Sequence, residues 1–311
     1  LVVQQPVALP GRAVTRVDLI RLDAATVLLQ GAVGGMAFCW FTTRHREVGL
    51  GYGWLLRGTF GLLAVAGAAV GFRYGVIPVR DVAACLTALA CLVGLVVSVR
   101  RRGAGVSGRA AEHDRRSARV AAMTGIDRAV EHDGRAHRAT ALSEFPPALD
   151  LVPALVGAVG LVAAALDAAP DGDFDVVVAV LRTLVGAAFL GAVTDAMLLG
   201  HWYLVQPGLP RRLLNELVGA LGWVWPVEVV ALLLPTGMFS VWSGAIDDGW
   251  NGTLGWFWGA CAITTIVLVF VTRAALKERQ YAAVMAATGL LYLAILTAFG
   301  TDLVARAVLD T

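Results

Sequence analysis

Apolar residues in this chain fall into long blocks, separated by short polar connectors and by one long charged stretch. A block of about 20 mostly apolar residues is long enough to cross a bilayer as a helix. Eight can be drawn: 24–43, a second ending near 74, 78–99, 148–168, 176–205, 213–234, 254–271 and 281–300. The pattern predicts an all-α, polytopic integral membrane protein. Gly31, Gly34 and Gly35 in the first block permit close helix approach, and Pro78 suits the opening of the third.

Between residues 100 and 147 the pattern breaks. Ten arginines and three histidines (His113, His132, His137) stand among acids and small residues with poor periodicity, which predicts an extramembrane linker. The chain thus divides into an N-terminal segment with helices 1–3 (1–99), the basic linker (100–147) and helices 4–8 (148–311). Two four-helix bundles joined by the linker are expected. Gly31-Ala-Val in the first span and Gly191-Ala-Val in the fifth hint at a parallel repeat.

Composition agrees with a membrane location: 58% of residues are hydrophobic and 15% charged, and mean hydropathy is +0.73. The net charge of +2 says little, but its distribution predicts orientation. If the first span enters from outside, the connectors on the inner side carry eighteen basic residues, Arg57 among them, and the outer segments six, Arg80 and Arg306 among them. Both termini are therefore expected outside, with the linker in the cytoplasm near anionic headgroups or against a partner subunit. Lys277 is the only lysine, and such arginine bias with abundant Ala, Gly and Val suggests a bacterial cytoplasmic membrane. No signal-peptide pattern precedes the first apolar run, so no cleavable leader is expected. Cys39, Cys85, Cys91 and Cys261 lack CxxC spacing and are expected as small core residues.

Candidate chemistry gathers between Thr194 and Glu216. Ionisable groups at membrane depth are costly, by roughly 2.5–3.5 kcal/mol on insertion scales, so they point to function or pairing. The fifth and sixth spans are antiparallel neighbours, which should bring Asp195, His201, Tyr203, Arg211, Arg212 and Glu216 to one cytoplasmic-side neighbourhood. A histidine with an acid, a tyrosine and arginines suits binding and protonation of a quinone headgroup. His201 has two other readings, a structural interfacial histidine and a haem b ligand with His45 as the second. Arg182 and Glu228 are further buried charges: Arg182 is expected to pair with Glu228 or Asp175, and Glu228 to use the hydrogen-bonding gap left by Pro226.

Enzyme signatures such as HExxH, GxSxG, a P-loop and CxxCH are missing, and the linker arginines lack the interleaved aromatics of a nucleic-acid site, so no nucleic-acid partner is expected. The leading expectation is a membrane subunit of a respiratory complex that binds menaquinone near the cytoplasmic side, with redox centres on partner subunits. In layout it resembles the integral quinone subunits of polysulfide-reductase-type complexes. Two alternatives remain, a secondary transporter or channel using the buried Arg, Asp and Glu side chains, and a scaffold or anchor subunit in which those charges merely pair.

Overall fold

The computed structural model describes residues 23–108, 144–169, 172–206, 208–278 and 280–309. Arg12, Arg16, Arg21 and the linker histidines lie outside them. Among the described residues eight helices are long and apolar enough to cross a membrane. They are α1 (Ala24–Thr43), α2 (Leu50–Tyr74), α3 (Pro78–Arg100), α4 (Leu151–Ala168), α5 (Asp173–Val205), α6 (Arg211–Leu233), α8 (Thr253–Lys277) and α9 (Tyr281–Leu309), with a short α7 (Gly237–Trp242) between α6 and α8. The protein is a polytopic helical membrane protein.

Local chemistry sets several boundaries. Asp23 caps α1 by accepting from the Ala25 amide at 3.1 Å, Pro78 occupies the first turn of α3, and Pro210 precedes α6. Before α4 the chain makes a 3-10 turn, Pro147–Asp150. The last helix runs nine residues beyond the end expected at Gly300, because Asp302 and Arg306 stand one turn apart and neutralise each other while buried.

Two rings of four helices result. In the first, α1 packs on α2, α2 on α3, α3 on α4 and α4 back on α1; in the second, α5, α6, α8 and α9 close in the same order. The basic linker therefore joins α3 to α4 within the first ring, whereas the expectation had it joining the two bundles. What draws α4 into that ring is close fit: Gly157 lies against Val33 and Thr87, and Gly160 against Ala83 and Leu29.

The rings meet chiefly through α1 and α5, which run in the same direction. Their backbones touch at Gly34 and Gly191. A Cβ at Gly34 would lie 2.7 Å from the Ala187 carbonyl carbon and closer still to its oxygen, and one at Gly191 would lie 2.6 Å from the Gly34 Cα. Gly31 instead faces Leu63 of α2. The Gly-Ala-Val tripeptides thus occupy different environments in the two rings. Large apolar side chains such as Leu62, Phe72, Leu155, Ile263, Phe270 and Leu296 point outward, as a lipid-facing surface requires.

Candidate functional site

The six side chains expected to gather at the α5–α6 turn take separate partners. His201 is exposed and its Nδ1 lies 3.4 Å from the Tyr292 hydroxyl of α9. Tyr203 is buried and donates to the Pro210 carbonyl at 2.8 Å. Arg211 donates to the carbonyls of Glu278 and Gln280, and Arg212 pairs with Glu47. Glu216 lies 2.8 Å from His45 Nε2 and 3.6 Å from Arg44. These contacts tie the α1–α2 loop to α6 across the two rings at the end of the molecule marked by His45. His45 and His201 face different helices, α6 and α9 respectively.

Asp195 is the exception, because it turns inward. It is fully buried one helical turn beyond Gly191, and among the described residues neither carboxylate oxygen has a hydrogen-bond partner. Tyr52 of α2 reaches only its backbone carbonyl, at 3.5 Å. The Cys39 thiol and the Asp150 carboxylate lie within electrostatic reach. Taking a carboxylate out of water without a partner is costly.

From Asp195 polar groups continue toward the His45 end of the first ring. Asp150 holds Arg57 in a bidentate pair, at 2.6 Å to Nε and 2.8 Å to Nη2, with both side chains buried. Asp150 also accepts from the Thr43 hydroxyl at 3.1 Å and lies 3.8 Å from the Cys39 sulfur. The Arg57 guanidinium stacks on Phe145, its carbon 4.1 Å from the ring centre. Beyond it opens a cavity of about 30 Å³.

On the far side of the Gly34–Gly191 crossing stands a second polar group set, thirteen residues up α5 from Asp195, a rise of about 20 Å. Arg306 is fixed by Asp302 at 3.0 Å and donates to the Arg182 carbonyl at 2.9 Å, while Gln30 of α1 donates to the Thr183 carbonyl at 2.8 Å. Arg182 departs from its expected pairing. Its guanidinium serves the Ala231 and Leu234 carbonyls at the end of α6, which the helix terminus leaves without intrahelical donors. Glu228 is fully buried and makes no bond to the backbone gap left by Pro226; its carboxyl group instead meets that of Asp302, with Arg306 close by. At the end of the first ring opposite His45, Arg80 pairs with Asp81 and Asp23.

Sequence reasoning missed Arg57, Asp150, Asp302 and Arg306. The Asp302–Arg306 spacing inside apolar sequence was a usable signal for a buried pair. Nothing local links Arg57 to Asp150, 93 positions away. Among the described residues no three His, Cys, Asp or Glu side chains gather as a metal ion would need. Comparison of the chain with known protein families, with curated proteins and with solved structures gives no match.

Proposed function

We propose that the protein is a proton-coupled secondary transporter of the bacterial cytoplasmic membrane, in which Asp195 carries the proton and the two rings move about the Gly34–Gly191 crossing. The observation that supports this most is Asp195 itself. An unpartnered carboxylate at this depth is expensive in its charged form, and a group that must gain and lose a proton gives that expense a use. Polar groups on both sides of the crossing fit the same reading: Arg57 and Asp150 toward the His45 end, Gln30, Glu228, Asp302 and Arg306 toward the other. Two rings with similar internal packing resemble halves that rock around a site near the midplane.

The His45 end is the cytoplasmic one in this proposal. Arg57, Arg80 and Arg306 are buried pairs and drop out of the loop charges, which leaves the excess of arginine on the same side. The test is flux. Proteoliposomes holding the purified chain and a pH-sensitive dye should acidify under an imposed potential or solute gradient, and Asp195→Asn should abolish this. Leak-level flux from the wild-type chain rejects transport.

A second reading keeps the respiratory subunit with a menaquinone site, and one observation favours it. The His201–Tyr292 pair is exposed on the lipid side, where a quinone headgroup arrives and needs hydrogen-bond donors. Partner subunits, docking in part on the basic linker, would then supply the redox centres. His201→Ala should slow quinone reduction by the purified complex; an unchanged rate removes this reading. A reduced-minus-oxidised spectrum without a b-type band removes its haem variant.

A further inference from the structure

The cavity at the His45 end is lined by the ends of all four helices of the first ring or by their loops: Thr43 at the end of α1, Gly49 and Gly53 of the α2 start, Gly105 after α3, and Phe145 and Pro147 before α4. Arg57 forms part of its floor. Nε and Nη2 of that guanidinium are consumed by Asp150, but Nη1 is buried and has no hydrogen-bond partner among the described residues. The side chain is only 2% exposed, so its remaining donors have no bulk water to serve. Gly53 makes the placement possible. A Cβ there would stand 2.6 Å from Nη1, so the absence of a side chain lets the guanidinium fold back toward the start of its own helix.

That start is a second donor set. Gly49, which precedes α2, has no side chain to cap it, and the first-turn amides of this 25-residue helix carry the positive end of its dipole. The acids nearby are paired with cations: Glu144 accepts from Arg46 and Ser107, both at 3.1 Å, Asp150 is held by Arg57, and Glu47, beside the lining residues Arg46 and Val48, is held by Arg212 through one of its two oxygens. Bordering the cavity are therefore one unused guanidinium donor just beneath its surface and the Leu50 and Gly51 amides, while the Gly49 amide is taken by Gln206 at 2.9 Å and the Tyr52 amide by the Gly49 carbonyl at 3.0 Å.

We propose that this mouth binds a small monovalent anion from the aqueous phase, of the size of chloride, nitrate or formate, with Arg57 as the anchoring cation. The volume of 30 Å³ accommodates about two waters or one such anion. A phosphodiester headgroup is larger, and the cavity is framed by helix ends and loops, which favours a solution anion over a lipid. The proposal stands independently of whether Asp195 carries protons.

The test is thermal unfolding of the full chain in neutral detergent, titrated with sodium chloride, nitrate or formate against gluconate at constant ionic strength. The small anions should raise Tm saturably by about 3 °C while gluconate does not. Arg57→Gln combined with Asp150→Asn removes the cation without stranding its partner, and should abolish the anion-specific rise. Gly53→Ala, which displaces the guanidinium, should weaken it at least tenfold in half-saturation and serves if the double variant does not fold. Glu144→Gln, which removes a negative charge from the lining, should move half-saturation several-fold lower. Equal stabilisation by gluconate, an anion-specific rise that survives both the double variant and Gly53→Ala, or a rise seen only on adding anionic phospholipid overturns the proposal.

Discussion

Replacing Asp195 by leucine should make the protein more stable while removing its activity. The side chain is 0% exposed, both oxygens lack partners among the described residues, and the backbone carbonyl that Tyr52 reaches is untouched by the change. Leaving a buried polar group unsatisfied costs about 1–3 kcal/mol in protein contexts, and an apolar side chain of the same branched shape recovers that cost. Leucine has the same branched four-atom side chain, and although its methyls are bulkier than carboxylate oxygens, the core along this stretch of α5, Ala192, Ala196 and Leu199 included, is apolar and built largely of small residues. A gain of about 1–3 kcal/mol corresponds to a Tm rise of a few degrees. Tryptophan fluorescence during heating in detergent reads it, and proteoliposome flux reads the loss of activity in the same preparation. A lower Tm for Asp195→Leu would refute the reasoning, because it would mean that the carboxyl makes a stabilising interaction.

Gly34→Ala should destabilise by about 3 kcal/mol or more through backbone collision with α5, whereas Gly58→Ala, where a Cβ meets nothing within 4 Å, should stabilise by about 0.5–1 kcal/mol; equal melting of the two variants in detergent would count against the α1–α5 crossing. Arg306→Leu alone strands the buried Asp302 and should cost about 3–5 kcal/mol, while adding Asp302→Leu should restore most of it, a cycle measurable by thermal unfolding. Asp248, in the loop before α8, is buried, which pushes its carboxyl pKa up, yet amides of Trp250, Gly252 and Leu254 donating at 2.9 Å outweigh this and hold it below the ordinary carboxylate value. A depressed pKa contributes stability above the unfolded value and loses it as pH falls through the folded one, so Asp248→Asn should lower the melting temperature at neutral pH and the gap should close in acid, as melts across pH would record.

Helix number and most boundaries were legible because the bilayer imposes length and polarity on each segment separately. The expected ends at Thr43, Tyr74, Ala168 and Val205 coincide with those of α1, α2, α4 and α5. The reading failed where charge was taken as a sign of water. Arg57 and Arg306 were assigned to connectors, yet both are buried, because a carboxylate from the same or another helix neutralises each. Asp195 was found as a charge at depth, but its placement beside His201 rested on sharing a membrane level, and level does not fix direction around a helix. Positions 195 and 201 differ by six residues, about 120° away from a common face, so one turns into the core beside the ring seam and the other to the exposed surface.

By itself, then, the sequence determined an all-helical membrane protein with eight spans and a lopsided distribution of arginine, since hydropathy and charge act on each segment independently of its neighbours. Only the tertiary structure decided that α4 closes the first ring, that Gly34 and Gly191 bring α1 and α5 into backbone contact, and that Arg57 meets Asp150. These depend on which helix faces which, a matter of small-residue fit and charge pairing between positions far apart in the chain.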